Sequence, residues 1–401
     1  MTMPLSAHRR VVVVGASVAG VTVCQELRRA GHEGPITLVG DEIHWPYDRP
    51  PLSKEILAGT KGPDDIRLLT GERLTELDLD LLSGVRAMGI DLDRMTVALR
   101  GARDLRFDEL VIASGASARQ LPGTGDLGGV HLLRTLDDAI AIRGELEHCR
   151  NVVVVGGGFI GAEVASAARM LGRDVAILDP MPVMLSRGLG GSIGEAIGAL
   201  HREQGVDLRC GVGVTGFEGA GSVEAVRTSD GARMDAELVV VGVGATPNTS
   251  WLAGTGLEVA DGVVCDAACR ALGGRGVWAA GDVARWYHRG LRQTVRLEHW
   301  TNAVEQATAV AHGICGRPEA FEPLPYVWSD QFGKRIQCFG SVLPDDDLVI
   351  VDGELGTDRF VVVAGRAGRL VGVVALDGGR TVMPYRRLLA AGASWREALA
   401  A

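Results

Sequence analysis

Apolar residues in this chain come in short, fully apolar runs followed at once by glycine. Val11–Val14 leads into Gly15-Ala16-Ser17-Val18-Ala19-Gly20, and a helical stretch over 21–30 closes at Gly31. A second run, Ile36–Val39, ends at Gly40-Asp41-Glu42. The order returns downstream: Val152–Val155, then Gly156-Gly157-Gly158-Phe159-Ile160-Gly161, a helical stretch over 162–171, and Val175–Leu178 ending at Asp179. Unbroken β-branched runs with no polar alternation predict strands buried on both faces, which is the habit of parallel sheets. Each repeat therefore reads as strand, glycine turn, helix and strand, about 30 residues long. Leu110–Gly115 and Leu238–Gly244 predict further buried strands ending in small residues, and Gly276–Asp282 a short strand ending in Gly-Asp. Near the C-terminus, Phe360–Val363 and Leu370–Val374 flank Gly365–Gly368 and predict a hairpin. The class is α/β, with two doubly wound nucleotide-binding units and a smaller α+β region at the end.

Composition narrows the function. Glycine accounts for 56 of 401 residues without a Gly-X-Y period, which excludes collagen and assigns the excess to turns and close backbone approaches. The net charge of −9 argues against nucleic-acid binding. No apolar run is long enough for a membrane span, and the run after Arg10 is too short for a signal peptide, so the expectation is a cytoplasmic protein. Seven scattered cysteines and nine histidines without ligand spacing predict neither a disulfide framework nor a metal centre.

The glycine turns point to dinucleotides on physical grounds. In each turn the first glycine allows the sharp bend, the second leaves room for a pyrophosphate, and the third lets helix and strand pack closely. The helix N-terminus behind the turn offers N–H groups to the phosphates, and an acid at the end of the next strand accepts from ribose hydroxyls. The second turn is complete, through Gly156, Gly158 and Gly161, with Asp179 placed 23 residues after Gly156. The first has Ser17 at the middle position, whose hydroxyl can still donate to phosphate, and Asp41 or Glu42 as its acid. Two such units imply two dinucleotides, a flavin and a nicotinamide. The late Gly281-Asp282 fits this, since an Asp there can hold ribityl hydroxyls while the glycine lets the ring approach.

Pro46 to Lys54, Leu133 to Asp138, Gly156 to Glu163, Glu298 to Gln306 and Trp328-Ser329-Asp330-Gln331 carry a resemblance to the NADH-dependent ferredoxin reductases of bacterial oxygenase systems, and it runs over nearly the whole chain. The resemblance implies an FAD domain in two pieces (1–115 and 246–324), an NAD domain inserted between them (116–245) and a C-terminal domain (325–401). It assigns FAD contacts to Ala19, Asp41, Lys54, Ala87, Arg134, Asp282 and Trp300, with Arg49 as a further contact. Gly15, Ser17, Gly20, Glu42, Ser114, Gly115 and Gly281 join them from the turn and strand-end positions. The NAD candidates are Gly156, Gly157, Gly158, Ile160, Gly161, Glu163, Asp179, Arg187 and Gly244. Lys54 stands out because the chain has only three lysines (54, 61, 334) against 38 arginines; a compact ammonium, not a flat guanidinium, suits that position. Glu163 resembles the acid paired with this lysine beside the flavin, although a Glu in a first helical turn also suits the helix dipole. An anionic Asp179, followed by Pro180 and Met181, favours NADH over NADPH.

The implied reaction passes a hydride from NADH to FAD and single electrons to an iron–sulfur ferredoxin, expected to be of the [2Fe-2S] type. The helix N-terminus near Thr301 and, more distantly, Lys54 are the positive groups beside the flavin. Candidate docking cations are Arg285, Arg289, Arg292 and Arg296, with Lys334 and Arg335 as a second group. Trp328 is open between a place over the flavin and a place in the core. Monomer and homodimer both remain open. A glutathione-reductase type of enzyme needs a redox cysteine pair that His44 to Lys54 lacks. The alternatives left are a rubredoxin or monodehydroascorbate-type reductase, and an apoptosis-inducing-factor-like NADH-binding flavoprotein with little turnover.

Overall fold

A computed structural model describes residues 8–401, apart from the side chain of Arg187. The described chain divides into two units: residues 8–49, 63–117 and 245–323 form one, and residues 50–62, 118–244 and 324–401 the other. The segment 50–62, which lies inside the 1–115 piece by sequence, packs with the second unit, as does the C-terminal segment.

The first unit is built on a five-stranded parallel sheet. Its order is Val277–Ala279, Glu109–Ile112, Val11–Val14, Ile36–Val39, Leu79–Leu82. The Val11–Val14 strand sits in the middle, in register with Ile36–Val39 on one side and Glu109–Ile112 on the other. Val11, Val12 and Val13 are fully buried, each such side chain contributing roughly 1.5–3 kcal/mol by leaving water. This explains a run without polar alternation: both faces of the strand lie in one core, to which the Val18–Arg29 helix and residues Ile90, Val97 and Leu99 of an antiparallel sheet contribute.

The second unit repeats the plan, with strands in the order Asp207–Cys210, Asp174–Asp179, Asn151–Val155, Leu238–Val241, Val130–Leu132, again all parallel. It also holds a five-stranded antiparallel sheet from the C-terminal segment, ordered Tyr326–Gln331, Lys334–Gly340, Arg369–Leu376, Phe360–Arg366, Asp347–Gly353. The expected hairpin is present; Ala367 and Gly368 at its tip have φ of 49° and 74°, the positive pair that a two-residue turn of matching twist requires.

Both glycine-turn helices begin earlier than the sequence spacing predicted, at Val18–Arg29 and Phe159–Met170. The turn itself supplies the first helical residues, so its last glycine lies inside the helix. Among the described residues no helix is long and apolar enough to cross a membrane.

Candidate functional site

The two glycine turns have matching geometry. Gly15 has φ 120° and Gly156 φ 106°, a region closed to other residues at low cost. A Cβ on Gly15 would lie 2.0 Å from the Ala113 carbonyl oxygen, and one on Gly156 would lie 2.3 Å from that of Gly242. Gly20 and Gly161, each in the first turn of its helix, would place a Cβ 1.9 and 2.0 Å from the carbonyl oxygens of Gly15 and Gly156. Between them, Ser17 and Gly158 are the helix N-caps. Ser17 makes no side-chain cap bond, and a Cβ on Gly158 would meet nothing within 4 Å. Both helices therefore start with N–H groups that no side chain caps, behind a bend whose backbone is bare, which is the shape a pyrophosphate fills.

The acids at the strand ends differ. Asp179 is buried; its Oδ2 accepts from the Gly157 N–H at 2.5 Å and its Oδ1 from the Met181 N–H at 2.8 Å. Each oxygen keeps a second lone pair for a hydroxyl. In the first unit Asp41 is half exposed and pairs with Arg86 at 3.0 Å, while Glu42 takes Tyr47 and, at 2.6 Å, the guanidinium of Arg49. Arg49 in turn lies 5.1 Å over the Tyr47 ring.

Other first-unit candidates converge at the C-terminal end of the sheet. Gly281, with φ 78°, lies against Ala19 and Ala303, and its N–H donates to Gln306 at 2.9 Å. The helix predicted near Thr301 begins one residue earlier, spanning Trp300–Ile314, and its N-cap His299 makes no cap bond. Burial pushes the His299 imidazole below its ordinary range, with Asp282 pulling the other way, so the positive end of this helix is supplied by its N–H groups. Trp300 Nε1 donates to Asp48 at 2.7 Å. Ser114 and Gly115 are clamped by Asn248, a residue without a sequence signal: Ser114 Oγ donates to the Asn248 carbonyl at 2.9 Å, and the Asn248 N–H to Gly115 at 2.9 Å. Ala87 opens the Ala87–Asp91 strand.

In the second unit, Arg134 precedes a capping box of Thr135 and Asp138 and gives its N–H to Asp138. The Gly244 carbonyl accepts from the Arg119 N–H at 2.8 Å. Ile160 is exposed on the first turn of the Phe159–Met170 helix. Arg187 lies in the Ser186–Leu189 helix, its side chain outside the described residues.

Lys54 and Glu163 meet. Their Nζ and Oε1 are 2.9 Å apart, with side chains 15% and 3% exposed. Glu163 is the fifth residue of its helix and not in the first turn, so the helix-dipole reading of this acid does not hold. Three donors aim at its carboxylate: Lys54, Ser53 Oγ at 2.5 Å on Oε2, and Ser329 Oγ at 2.6 Å on Oε1. Burial pushes the Glu163 carboxyl above the ordinary range, and Lys54 and the two serines pull against it. Ser53 and Ser329 have no sequence signal of their own within the Pro46–Lys54 and Trp328–Gln331 segments, yet both hold the Glu163 carboxylate.

The expected docking cations are unevenly available. Lys334 is held by Asp358 at 3.2 Å and Asp377 at 3.6 Å, and Arg335 by Asp330 at 2.8 Å, so this group carries no positive excess. Arg296 is mostly buried between Asp261 and Glu298, and Arg285 donates to the Ala260 carbonyl at 2.6 Å. Arg289 is 3.9 Å from Glu322, and Arg292 has no ion-pair partner among the described residues. Trp328 is half-buried in its strand, 6.0 Å from and stacked on Tyr326.

Comparison with known proteins agrees with this geometry. The family model described as pyridine nucleotide-disulphide oxidoreductase matches residues 9–307, and the one described as reductase C-terminal matches 326–401. The ferredoxin–NAD(+) reductase subunit of the benzene 1,2-dioxygenase system of Pseudomonas putida is 38% identical over 384 residues, 95% of this chain and 92% of that protein. Putidaredoxin reductase of Pseudomonas putida is 36% identical, over 92% and 89% of the two chains. The crystal structure of the covalent putidaredoxin reductase–putidaredoxin complex matches with a TM-score of 0.90 at 35% identity, covering 95% of this chain and 93% of that one. With two glycine cradles on two parallel sheets and relatives of this identity along its length, the chain belongs to the pyridine nucleotide-disulphide oxidoreductases, within their ferredoxin–NAD(+) reductases.

Proposed function

We propose that this protein is an NADH:ferredoxin oxidoreductase that holds FAD at the Gly15–Gly20 turn and NADH at the Gly156–Gly161 turn. The observation that carries the reading is the pair of matching cradles: in each, a helix starts on uncapped N–H groups behind a glycine that admits no Cβ. Bound FAD supplies the redox chemistry, taking a hydride from NADH and releasing electrons one at a time to an iron–sulfur partner.

The chain's own residues bind and orient. Ser17 and the N–H groups behind it receive one pyrophosphate, and the open space at Gly158 receives the other. Asp179 accepts from an adenosine-ribose hydroxyl and repels a 2′-phosphate, which selects NADH. Lys54 keeps its ammonium in place on Glu163, where Ser53 and Ser329 stop the carboxylate from turning away. The N–H groups at the start of the Trp300–Ile314 helix are positive groups that cost no reorganisation when negative charge develops nearby. The partner is a ferredoxin of the [2Fe-2S] type that feeds an oxygenase, either a cytochrome monooxygenase or a Rieske dioxygenase, and the enzyme works in the cytoplasm as a monomer or homodimer. The division into residues 1–115 with 246–324, 116–245 and 325–401 belongs to the same proposal.

The direct experiment is a panel of ferredoxins and a rubredoxin with NADH or NADPH, read by cytochrome c reduction. Turnover with NADH and a [2Fe-2S] ferredoxin is the expected result; a purified protein that is colourless and takes up no flavin would refute the reading. Among the docking cations, Arg289 is the informative one, because its only ion-pair partner among the described residues, Glu322, is 3.9 Å away and exposed. Arg289→Glu is expected to raise the KM for ferredoxin by about three- to tenfold, with NADH-to-ferricyanide turnover unchanged. Equal losses in both assays would remove Arg289 from the docking surface.

A further inference from the structure

The hydrogen bonds on Glu163 continue beyond Ser329. Gln331 Nε2 donates to Ser329 Oγ at 3.0 Å, and Gln331 Oε1 lies 2.8 Å from His201 Nε2. Ser329, Gln331 and His201 have no solvent exposure. Ser329 and Gln331 are two apart on the Tyr326–Gln331 strand and so face the same side, while Asp330 between them turns the other way to Arg335. This alternation accounts for the order Ser-Asp-Gln.

The chain of donors has one consistent direction. Ser329 has a single hydroxyl proton; with that given to Glu163, the oxygen can meet its other neighbour only as an acceptor, and Gln331 Nε2 is the donor. The Gln331 amide must then present its oxygen to His201, and His201 must carry its proton on Nε2. Burial keeps this imidazole neutral by pushing its pKa down to about 4, and its Nδ1 is buried without a partner among the described residues. Reversing the amide would turn the Ser329 proton away from Glu163. Leaving a buried polar atom unpaired is costly, and the Nε2 contact offsets that cost.

We infer that Ser329, Gln331 and His201 are positioning residues which, through this ordered relay, hold the Glu163 carboxylate on the Lys54 ammonium. The inference rests on the Lys54–Glu163 reading above and extends it to a strand of the C-terminal segment and to the Gly191–Glu203 helix.

The scarcity of lysine makes the test clean. With only three lysines in the chain, the FAD-loaded protein can be treated with an acylating amine reagent and the rate at Lys54 followed by peptide mass spectrometry, with Lys61 and Lys334 as internal references. A firmly paired ammonium resists acylation. Ser329→Ala and Gln331→Leu are expected to raise the Lys54 rate threefold or more relative to both references, Glu163→Gln to raise it further, and Ser329→Thr, which keeps the hydroxyl, to leave it near wild type. His201→Phe is expected to act in the direction of Gln331→Leu. Retained flavin content and thermal midpoint identify variants that fold, and Ser329→Ala, which removes one oxygen atom, is the mildest. A rise in Glu163→Gln with none in folded Ser329→Ala and Gln331→Leu would overturn the relay and leave the pair standing. No rise in Glu163→Gln would overturn the pair itself.

Discussion

Lys54→Met is expected to destabilise the protein by ~3 kcal/mol, the lower end for breaking a buried ion pair, and to slow reduction of the bound flavin by NADH by about 100-fold. The stability loss follows from burial: Glu163 is enclosed, and removing its one cation leaves a carboxylate with two serine donors and no counter-charge. The loss should depend on pH with a definite sign. Burial already raises the Glu163 pKa, and Lys54 is the strongest group lowering it; without Lys54 the folded-state pKa rises further. A carboxyl whose pKa is raised by folding is at no disadvantage while protonated and becomes costly as pH climbs through the folded value. The deficit of Lys54→Met relative to wild type therefore shrinks in acid and grows toward alkaline pH. Thermal midpoints measured between acid and alkaline buffers read this directly. Lys54→Met/Glu163→Gln should recover most of the stability, since a neutral amide needs no cation, yet recover none of the rate in stopped-flow reduction. A double variant as unstable as Lys54→Met would show that Lys54 acts through packing and not through charge.

What the sequence made legible was whatever is written locally. The Val11–Val14 and Asn151–Val155 strands, their glycine turns and the Phe360–Leu376 hairpin could be read because buried parallel strands and two-residue turns restrict residue type within a few positions. The helix starts slipped by three residues because Gly20 and Gly161 look like turn residues and are helical ones, chosen for contact with Gly15 and Gly156. Lys54 and Glu163 were found by resemblance and scarcity, and their meeting is a fact of packing across more than a hundred residues of sequence. The partners that fix Glu163 were not legible. A serine and a glutamine on alternate positions of a strand have no signature apart from the face they share, and His201 sits among helix residues with nothing to mark it until Gln331 is brought alongside. The pairing of Lys334 was hidden for the opposite reason: charge is plain in a sequence, but its neutralisation is not, and Asp358 and Asp377 reach Lys334 from 24 and 43 residues away.

Gly158→Ala and Gly161→Ala, three residues apart, should have opposite phenotypes. A Cβ at position 161 would stand 2.0 Å from the Gly156 carbonyl oxygen and 3.2 Å from Val154. That oxygen belongs to a turn whose own φ is confined to the glycine region, so helix and strand must separate, and the variant is expected to lose several kcal/mol, as with severe overpacking. At position 158 a Cβ meets no protein atom within 4 Å, and φ of −77° suits any residue. Replacing Gly by Ala at an N-cap costs about 0.5–1 kcal/mol, so Gly158→Ala should melt only slightly below the wild type and keep its flavin. What it loses is the space kept for the NADH pyrophosphate: the KM for NADH is expected to rise at least about tenfold. Measuring thermal midpoint, flavin content and NADH KM on the two variants separates the glycine that packs the fold from the glycine that admits the ligand. An unchanged KM in Gly158→Ala would mean that the dinucleotide does not cross this turn, and the assignment of NADH to the second cradle would fall with it.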